Sequence, residues 1–101
     1  TPSKEDARCY TYLGIALSKL EDYDNSFAAY DKSIELLKLD PITRLNYAIS
    51  LAKNGEDDRA KEQLKVYDSI IETNEGKQMK EDDGELNEQR EMLRSVLVAN
   101  S

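Results

Sequence analysis

The chain contains no histidine and no tryptophan, and Cys9 is its one cysteine in 101 residues. Histidine is the commonest acid–base group and a frequent zinc ligand, so its absence removes the usual residue for both kinds of site. A lone cysteine excludes an internal disulfide and is typical of a reducing, cytoplasmic setting. Because no histidine is present to activate the thiol, we expect Cys9 to be a small buried core residue.

Long apolar runs and an excess of positive charge are also missing. No run approaches the roughly 20 apolar residues that span a bilayer, and the first residues lack the apolar stretch of a signal peptide. The sequence has 14 Lys and Arg against 21 Asp and Glu, which gives a net charge of −7. Like charges repel nucleic-acid backbones and anionic membrane surfaces. We therefore predict no nucleic-acid partner and no direct membrane insertion.

Motifs that carry catalysis or bind cofactors are absent too. No nucleophile–base pair, phosphate-binding loop or metal-ligand cluster is evident. The run Glu81-Asp82-Asp83-Gly84-Glu85 is acidic, but it lacks the alternating ligand spacing of a calcium-binding loop, and we interpret it as a solvated linker. The sequence therefore predicts a protein that is not an enzyme and that needs no cofactor or metal.

What the sequence does contain is an internal repeat of 34 residues. Residues of similar character recur at this one offset: Leu13-Gly14 with Tyr47-Ala48, Leu17 with Leu51, Ser26 with Ala60, and Tyr30 with Leu64. A period of 34 is the signature of a solenoid built from helix–turn–helix units. Such solenoids bind other proteins on their inner surfaces.

The helical boundaries follow from caps and apolar spacing. Ser3 and Asp6 predict the start of a helix that ends near Leu20, Pro41 suits the first turn of the third helix, and Asn54-Gly55 ends it. Helical spacing gives the first two helices these buried faces: Tyr10, Leu13, Ala16, Leu17 and Leu20, then Phe27, Tyr30, Ser33, Ile34 and Leu37.

These signals divide an all-α chain into four segments. A first unit covers 4–40, a second covers 41–72, an acidic loop or disordered insertion covers 73–84, and a closing C-terminal helix covers 85–99. The closing helix has Leu86, Leu93, Val96 and Leu97 on one side. Two units are few for a solenoid core. We therefore expect a piece of a longer superhelix rather than a chain that dimerises.

The repeat positions resemble the tetratricopeptide family. Tyr10, Leu13, Gly14, Leu17, Tyr23, Ser26 and Tyr30 match its signature spacing, and the second unit matches through Tyr47, Ala48, Leu51, Gly55, Ala60 and Leu64. The resemblance implies a right-handed helical solenoid fragment of two units plus the closing helix. Glu21 departs from the usual turn glycine, and Tyr67 stands where a small residue is normal.

A narrower resemblance is to tetratricopeptide subunits of the BBSome, the coat-like complex that moves membrane proteins in and out of cilia. It is carried by Leu45-Asn46-Tyr47-Ala48, Gly55-Glu56, the acidic insertion and Glu91-Met92-Leu93. It implies a non-catalytic scaffold that contacts other subunits of a multiprotein complex, including a small one held by the superhelix. It also implies a cytoplasmic location at the ciliary basal body and pericentriolar region.

A partner-binding groove is the candidate functional site. In a stacked array the first helices of successive units line the concave wall, and their groove-facing positions here form two rows: Arg8, Tyr12, Ile15 and Lys19, and, 34 residues on, Ile42, Asn46, Ile49 and Lys53. Each row has isoleucine in the middle and lysine at the end. This pattern predicts a groove for an amphipathic helix or extended peptide that carries acidic residues.

Several alternatives stay open at this stage. One is that Ile15 and Ile49 serve only to pack against neighbouring helices. A clamp for chaperone carboxylates is disfavoured because Ile15 occupies the place where the first unit needs a donor such as Asn46. The chain is alternatively an autonomous tetratricopeptide adaptor outside cilia, or a regulatory domain of a larger enzyme.

Overall fold

A computed structural model describes residues 4–72 and 84–99. In these two ranges the chain forms five α-helices and no strand: α1 Lys4–Lys19, α2 Tyr23–Leu36, α3 Pro41–Lys53, α4 Asp57–Ile71 and α5 Gly84–Ala99. The prediction of an all-α fold is confirmed. Within the described ranges, every helix is too short or too polar to cross a membrane.

The helices pack as consecutive hairpins. Helix α1 packs mainly on α2 and α3 mainly on α4, while α3 also contacts both helices of the first hairpin. Helix α5 lies against α3 and α4. The molecule measures 41 × 32 × 19 Å, and its smallest dimension fits two layers of helices about 10 Å thick. This is the architecture of an α-helical repeat fragment.

The turn between the helices of each hairpin repeats at the offset found in the sequence. Glu21 has φ 61° and Gly55 has φ 77°, both in the left-handed region. The backbone hydrogen bonds around these two residues are also equivalent, and both turns have the pattern of a Schellman motif. The paired bonds are Glu21 N to Ser18 O and Gly55 N to Ala52 O, both 3.0 Å, and Asp22 N to Leu17 O and Glu56 N to Leu51 O, both 2.9 Å.

The start of α3 follows the sequence prediction, whereas the end of α2 does not. Pro41 occupies the first turn of α3, and the Asp40 carboxylate accepts a hydrogen bond of 3.0 Å from the Ile42 N–H. Helix α2 ends at Leu36, so Leu37, which the helical spacing put on its buried face, lies just beyond the helix with a non-helical backbone of φ −148° and ψ 88°. The connection to α3 is therefore longer than the apolar spacing suggested.

Stacked aromatic rings at the centre of the core join the two hairpins. Tyr47 of α3 lies 5.7 Å from the ring of Phe27 and 5.2 Å from the ring of Tyr30, measured between centroids. Tyr30 is completely buried, and Tyr47 and Phe27 are nearly so. Such ring pairs stabilise by about 0.5–1.5 kcal/mol beyond their buried area. The second hairpin is therefore fixed to the first through α3.

The buried face predicted for α1 is wrong. Leu13 and Leu20 are 49% and 77% exposed, Ala16 is exposed too, and Tyr10 and Leu17 are only partly buried. The face of α1 that packs inward instead carries small and hydroxyl side chains: Ala7, Thr11, Gly14 and Ser18. These residues let α1 approach α2 and α3 closely, and their hydroxyls find partners there.

The core position expected for Cys9 is wrong as well, since this side chain is exposed. Cys9 lies two residues from both Ala7 and Thr11, which are buried. Two residues correspond to a rotation of roughly 200° around a helix, so Cys9 points away from the packed face.

Helix α5 contributes two of its leucines to the core. Leu93 and Leu97 are buried in the common core. The side chains of Leu86 and Val96 lie outside the described part, and so do residues 73–83 of the predicted acidic segment. Gly84, which we assigned to that segment, is the first residue of α5.

Candidate functional site

Two sets of buried hydroxyl contacts hold α1 beside α3. Thr11 Oγ1 lies 2.6 Å from Thr43 Oγ1 and 2.7 Å from Ser33 Oγ. Further along the same helices, Ser50 Oγ donates to Ser18 Oγ over 2.8 Å. Both α1–α3 pairs are separated by 32 residues. The same separation of 32 residues is thus found again two helical turns further along both helices. Helices α1 and α3 therefore run parallel and in register.

This register places the two predicted rows on one side of the molecule. On α1 the row residues Tyr12 and Lys19 each follow a residue of the α1–α3 contact by one position, a rotation of about 100°. On α3 the row residues Ile42 and Ile49 each precede such a residue by one position, which is the opposite rotation. When two parallel helices face each other, a clockwise step around one and an anticlockwise step around the other lead to the same side of the pair. We call this surface, made of the eight predicted residues, the α1–α3 wall.

The wall is open to solvent at its rim and partly buried along its middle. Tyr12 is 61% exposed, and Lys19 and Lys53 are exposed as well. Arg8 and Asn46 are partly buried, and the Asn46 side-chain amide donates to the Ile42 carbonyl over 2.8 Å. The remaining members are aliphatic, are partly buried and pack against the core: Ile15, Ile42 and Ile49. The packing role considered for Ile15 and Ile49 is therefore real.

A cleft between α3 and α5 continues the wall at its lysine end. It has a volume of about 420 Å³ and is lined by Ile49, Ala52, Lys53, Gln89, Met92 and Leu93. Met92 is 69% exposed at its edge. The sequence did not reveal this contribution of α5, because periodicity within a helix does not say which helix it meets. Gln89 and Met92 were missed for this reason.

A polar cluster behind the wall secures α3 against α2 and α4. The Tyr47 hydroxyl donates to Asp31 Oδ1 over 3.0 Å and accepts from Arg59 Nη2 over 3.2 Å. Burial, and then the bond to Asp31, raise the pKa of Tyr47 to about 12. The Arg59 guanidinium also lies 5.5 Å from the Phe27 ring centroid, within cation–π range. This cluster positions α3 and is not arranged for proton transfer, since Tyr47 stays protonated near neutral pH.

Arg59 also organises the start of α4. Arg59 Nη1 lies 2.8 Å from Glu56 Oε1, and Asn54 Nδ2 donates to Glu56 Oε2 over 2.8 Å. These two bonds lower the pKa of the Glu56 carboxyl below its usual value, with the Arg59 bond as the larger cause. The same bond to Glu56 raises the pKa of Arg59. The hairpin turn after Gly55 is thus tied to the helix that follows it.

Helix α5 is attached to α4 through Asp68. Its carboxylate pairs with Arg90 Nη1 at 3.3 Å and with Arg94 Nη2. Arg90 also pairs with Glu91, and that hydrogen bond is the main cause of the raised pKa of Arg90. In residues 4–72 and 84–99, no group of three His, Cys, Asp or Glu residues is placed to hold a metal ion. The ion pairs of Asp68 fix α5 against α4.

The chain is similar to part of a protein known from several vertebrates. The BBSome complex member BBS4 of Mus musculus is 32% identical over 88 residues, which are 87% of this chain and 17% of the mouse protein. The Bos taurus protein of the same name is 43% identical over 47 residues, 46% of this chain and 9% of that protein. The Xenopus tropicalis protein is 33% identical over 51 residues, 50% of this chain and 10% of that protein.

No protein-family model matches the chain, and no solved structure matches it. The chain spans less than a fifth of the length of the curated relatives given above. The resemblance to a BBSome subunit that the sequence indicated is confirmed, since the chain is similar to part of the BBS4 subunit of that complex.

Proposed function

We propose that this chain is a non-catalytic scaffold that joins other protein subunits in a BBSome-like complex, and that it serves ciliary membrane-protein trafficking. The observation that carries the proposal is the parallel, in-register packing of α1 and α3, with Thr11 and Thr43 2.6 Å apart. This packing makes one continuous wall from residues of two hairpins. The similarity to BBS4 supports the choice of complex. The location that follows is the cytoplasm around the ciliary base.

The chemistry of the wall indicates the kind of segment it would hold. Partly exposed isoleucines lie along its middle, and Lys19 and Lys53 lie exposed at its end. In a chain of net charge −7 these lysines form a local basic rim. An amphipathic helix or extended peptide with aliphatic anchors and acidic flanking residues complements this surface. Tyr12 adds an exposed aromatic ring, a residue type enriched in binding hot spots.

The cleft between α3 and α5 would lengthen this binding surface. Ile49 and Lys53 belong to both the wall and the cleft. Met92 at the cleft edge is flexible and polarisable, which suits contacts with side chains of varied shape. A partner segment lying along α3 would therefore reach α5 without leaving the apolar surface.

The experiment uses a BBSome assembled without its BBS4 subunit and compares binding of the chain and of its variants. A triple variant, Tyr12→Ala, Lys19→Glu and Lys53→Glu, changes only exposed positions of the wall, so the fold should survive. We prefer it to changing Ile15 and Ile49, which also pack against the core. A matched control, Lys32→Glu with Lys38→Glu, alters the net charge equally at exposed positions of α2 and the turn after it.

The proposal expects the wild-type chain and the control to bind and the triple variant to bind at least tenfold more weakly, about 1.4 kcal/mol. Circular dichroism would verify that all three chains stay helical. Equal binding by the triple variant and the control would exclude the wall as the interface. Absence of wild-type binding to any BBSome subunit would exclude the proposed complex and leave the fold unaffected.

A further inference from the structure

A second cleft, between α4 and α5, has a different character from the α1–α3 wall. Its volume is about 340 Å³, and its lining residues are Lys61, Leu64, Lys65, Asp68, Arg94 and Leu97. Leu64 and Leu97 are 6% and 3% exposed and form an apolar floor. Lys61, Lys65 and Arg94 are exposed around it. We refer to this feature as the α4–α5 cleft.

The charge of the cleft is opposite to that of the chain. Three cationic side chains line it against one carboxylate, in a protein of net charge −7. That carboxylate, Asp68, pairs with Arg94 in the cleft and with Arg90 outside its lining, so the charged side chains of the lining sum to +2. Lys61 and Lys65 are one helical turn apart and extend from the same side of α4. The cleft therefore combines an apolar floor with a positive rim.

We propose that the α4–α5 cleft binds an acidic, amphipathic segment of a partner protein. An aliphatic side chain of that segment packs over Leu64 and Leu97, and its carboxylates pair with Lys61 and Lys65. The cleft has room for one or two side chains and not for a long polyanion. Nucleic acid and anionic membranes are disfavoured occupants because the surrounding negative charge repels any extended anionic surface.

The site differs from the α1–α3 wall in its residues and its helices. The wall uses α1 and α3, whereas the cleft uses α4 and the part of α5 that carries Arg94 and Leu97. The two surfaces have no residue in common. A protein partner could therefore occupy one surface while the other stays free, and the two proposals can fail separately.

A labelled helical peptide of leucine and glutamate is the probe, and fluorescence anisotropy with the full 101-residue chain is the measurement. A peptide with glutamine in place of glutamate reports the apolar contribution alone. The test variant is Lys61→Glu with Lys65→Glu, and the matched control is Lys32→Glu with Lys38→Glu. Each of these chains also carries Tyr12→Ala, Lys19→Glu and Lys53→Glu, because the α1–α3 wall would bind the same acidic, amphipathic peptide. Circular dichroism checks that each variant stays folded.

We expect the Kd for the glutamate peptide to rise about tenfold or more when the Lys61 and Lys65 changes are added, and to change by less than about twofold when the control changes are added. We also expect the glutamine peptide to bind more weakly than the glutamate peptide. Equal effects of all the charge reversals would overturn the proposal, since they would indicate nonspecific attraction. The proposal would be overturned as well if the Lys61 and Lys65 changes weakened binding to RNA or to phosphatidylserine vesicles more than binding to the peptide.

Discussion

Glu21 and Gly55 lie 34 residues apart and hold the same place in their hairpins, each with left-handed backbone just after the first helix. Their φ angles are 61° and 77°, and the hydrogen bonds around them pair the same relative positions. A repeat detected from side-chain character is thus matched in the main chain. Glycine adopts this conformation without steric cost, whereas glutamate does so at a cost of about 1–2 kcal/mol.

Replacing Glu21 by glycine should therefore stabilise the chain. The relief of left-handed strain outweighs the extra entropy that glycine has in the unfolded state, and we expect a gain of about 0.5 kcal/mol. Gly55→Ala should have the opposite effect and destabilise by about 1 kcal/mol, although no described atom beyond the adjacent residues lies within 4 Å of the added Cβ. Urea denaturation measures both. A loss of stability in Glu21→Gly would contradict this account of the turn.

Gly14 is required by the ring of Tyr30. A Cβ atom at position 14 would lie 2.7 Å from Tyr30 Cε1, and the ring is fully buried with Tyr47 stacked at 5.2 Å. Alanine favours a helix over glycine by about 1 kcal/mol, yet we expect Gly14→Ala to destabilise by about 1–3 kcal/mol through overpacking. Denaturant unfolding of Gly14→Ala, Tyr30→Leu and the double variant gives the coupling. The same glycine substitution should cost less when leucine replaces Tyr30; additive effects would show that the ring is not responsible.

Ser50 connects three helices through its hydroxyl group. It donates to Ser18 over 2.8 Å and lies 3.1 Å from the Tyr30 hydroxyl, and all three groups are buried. Ser50→Ala would leave two buried hydroxyls without this partner, so we expect a loss of about 1–3 kcal/mol in the free energy of unfolding. Ser69→Ala, at an exposed position of α4, is the control and should change stability by less than about 0.5 kcal/mol. Similar stabilities for the two variants would mean that the buried hydroxyl contacts contribute little.

Stability at alkaline pH should depend on Tyr47. Burial and the bond to Asp31 raise its pKa from 10.0 to about 12 in the folded chain. A raised folded pKa gives stabilisation that is complete below pH 10 and is lost as the pH rises to about 12, because the unfolded chain ionises first. In Tyr47→Phe the free energy of unfolding should fall less steeply over this pH range. Burial also raises the pKa of Tyr30, which should account for part of the slope that remains. An unchanged slope in the variant would contradict the assignment.

Local signals predicted the helices well, because caps and turn residues act over a few positions. Pro41 and Gly55 fulfil the roles that their backbone chemistry requires. The orientation of α1 could not be predicted by counting apolar residues. Its packed face uses Thr11 and Ser18, whose hydroxyls are satisfied by α2 and α3, and no pattern within α1 reveals such distant partners. Leu13 and Leu20 are apolar and yet exposed for the same reason.

The candidate site was partly predictable. The repeat offset alone paired Tyr12 with Asn46 and Lys19 with Lys53, and the structure puts both pairs on one side of parallel helices. The contribution of α5 was not predictable. Helix α5 is attached through ion pairs of Arg90 and Arg94 with Asp68, which are 22 and 26 residues apart in the sequence. No repeat in the sequence relates these positions. Contacts of that kind depend on the tertiary fold.

Site-specific photo-crosslinking tests the central claim most directly. A photoreactive side chain is placed at position 12, at the exposed rim of the α1–α3 wall, or at position 28, an exposed position of α2. Each chain is then mixed with a BBSome that lacks its BBS4 subunit and is irradiated. The account predicts crosslinks to a BBSome subunit from position 12 and few or none from position 28. Crosslinks from position 28 alone, or equal crosslinks from both positions, would contradict it.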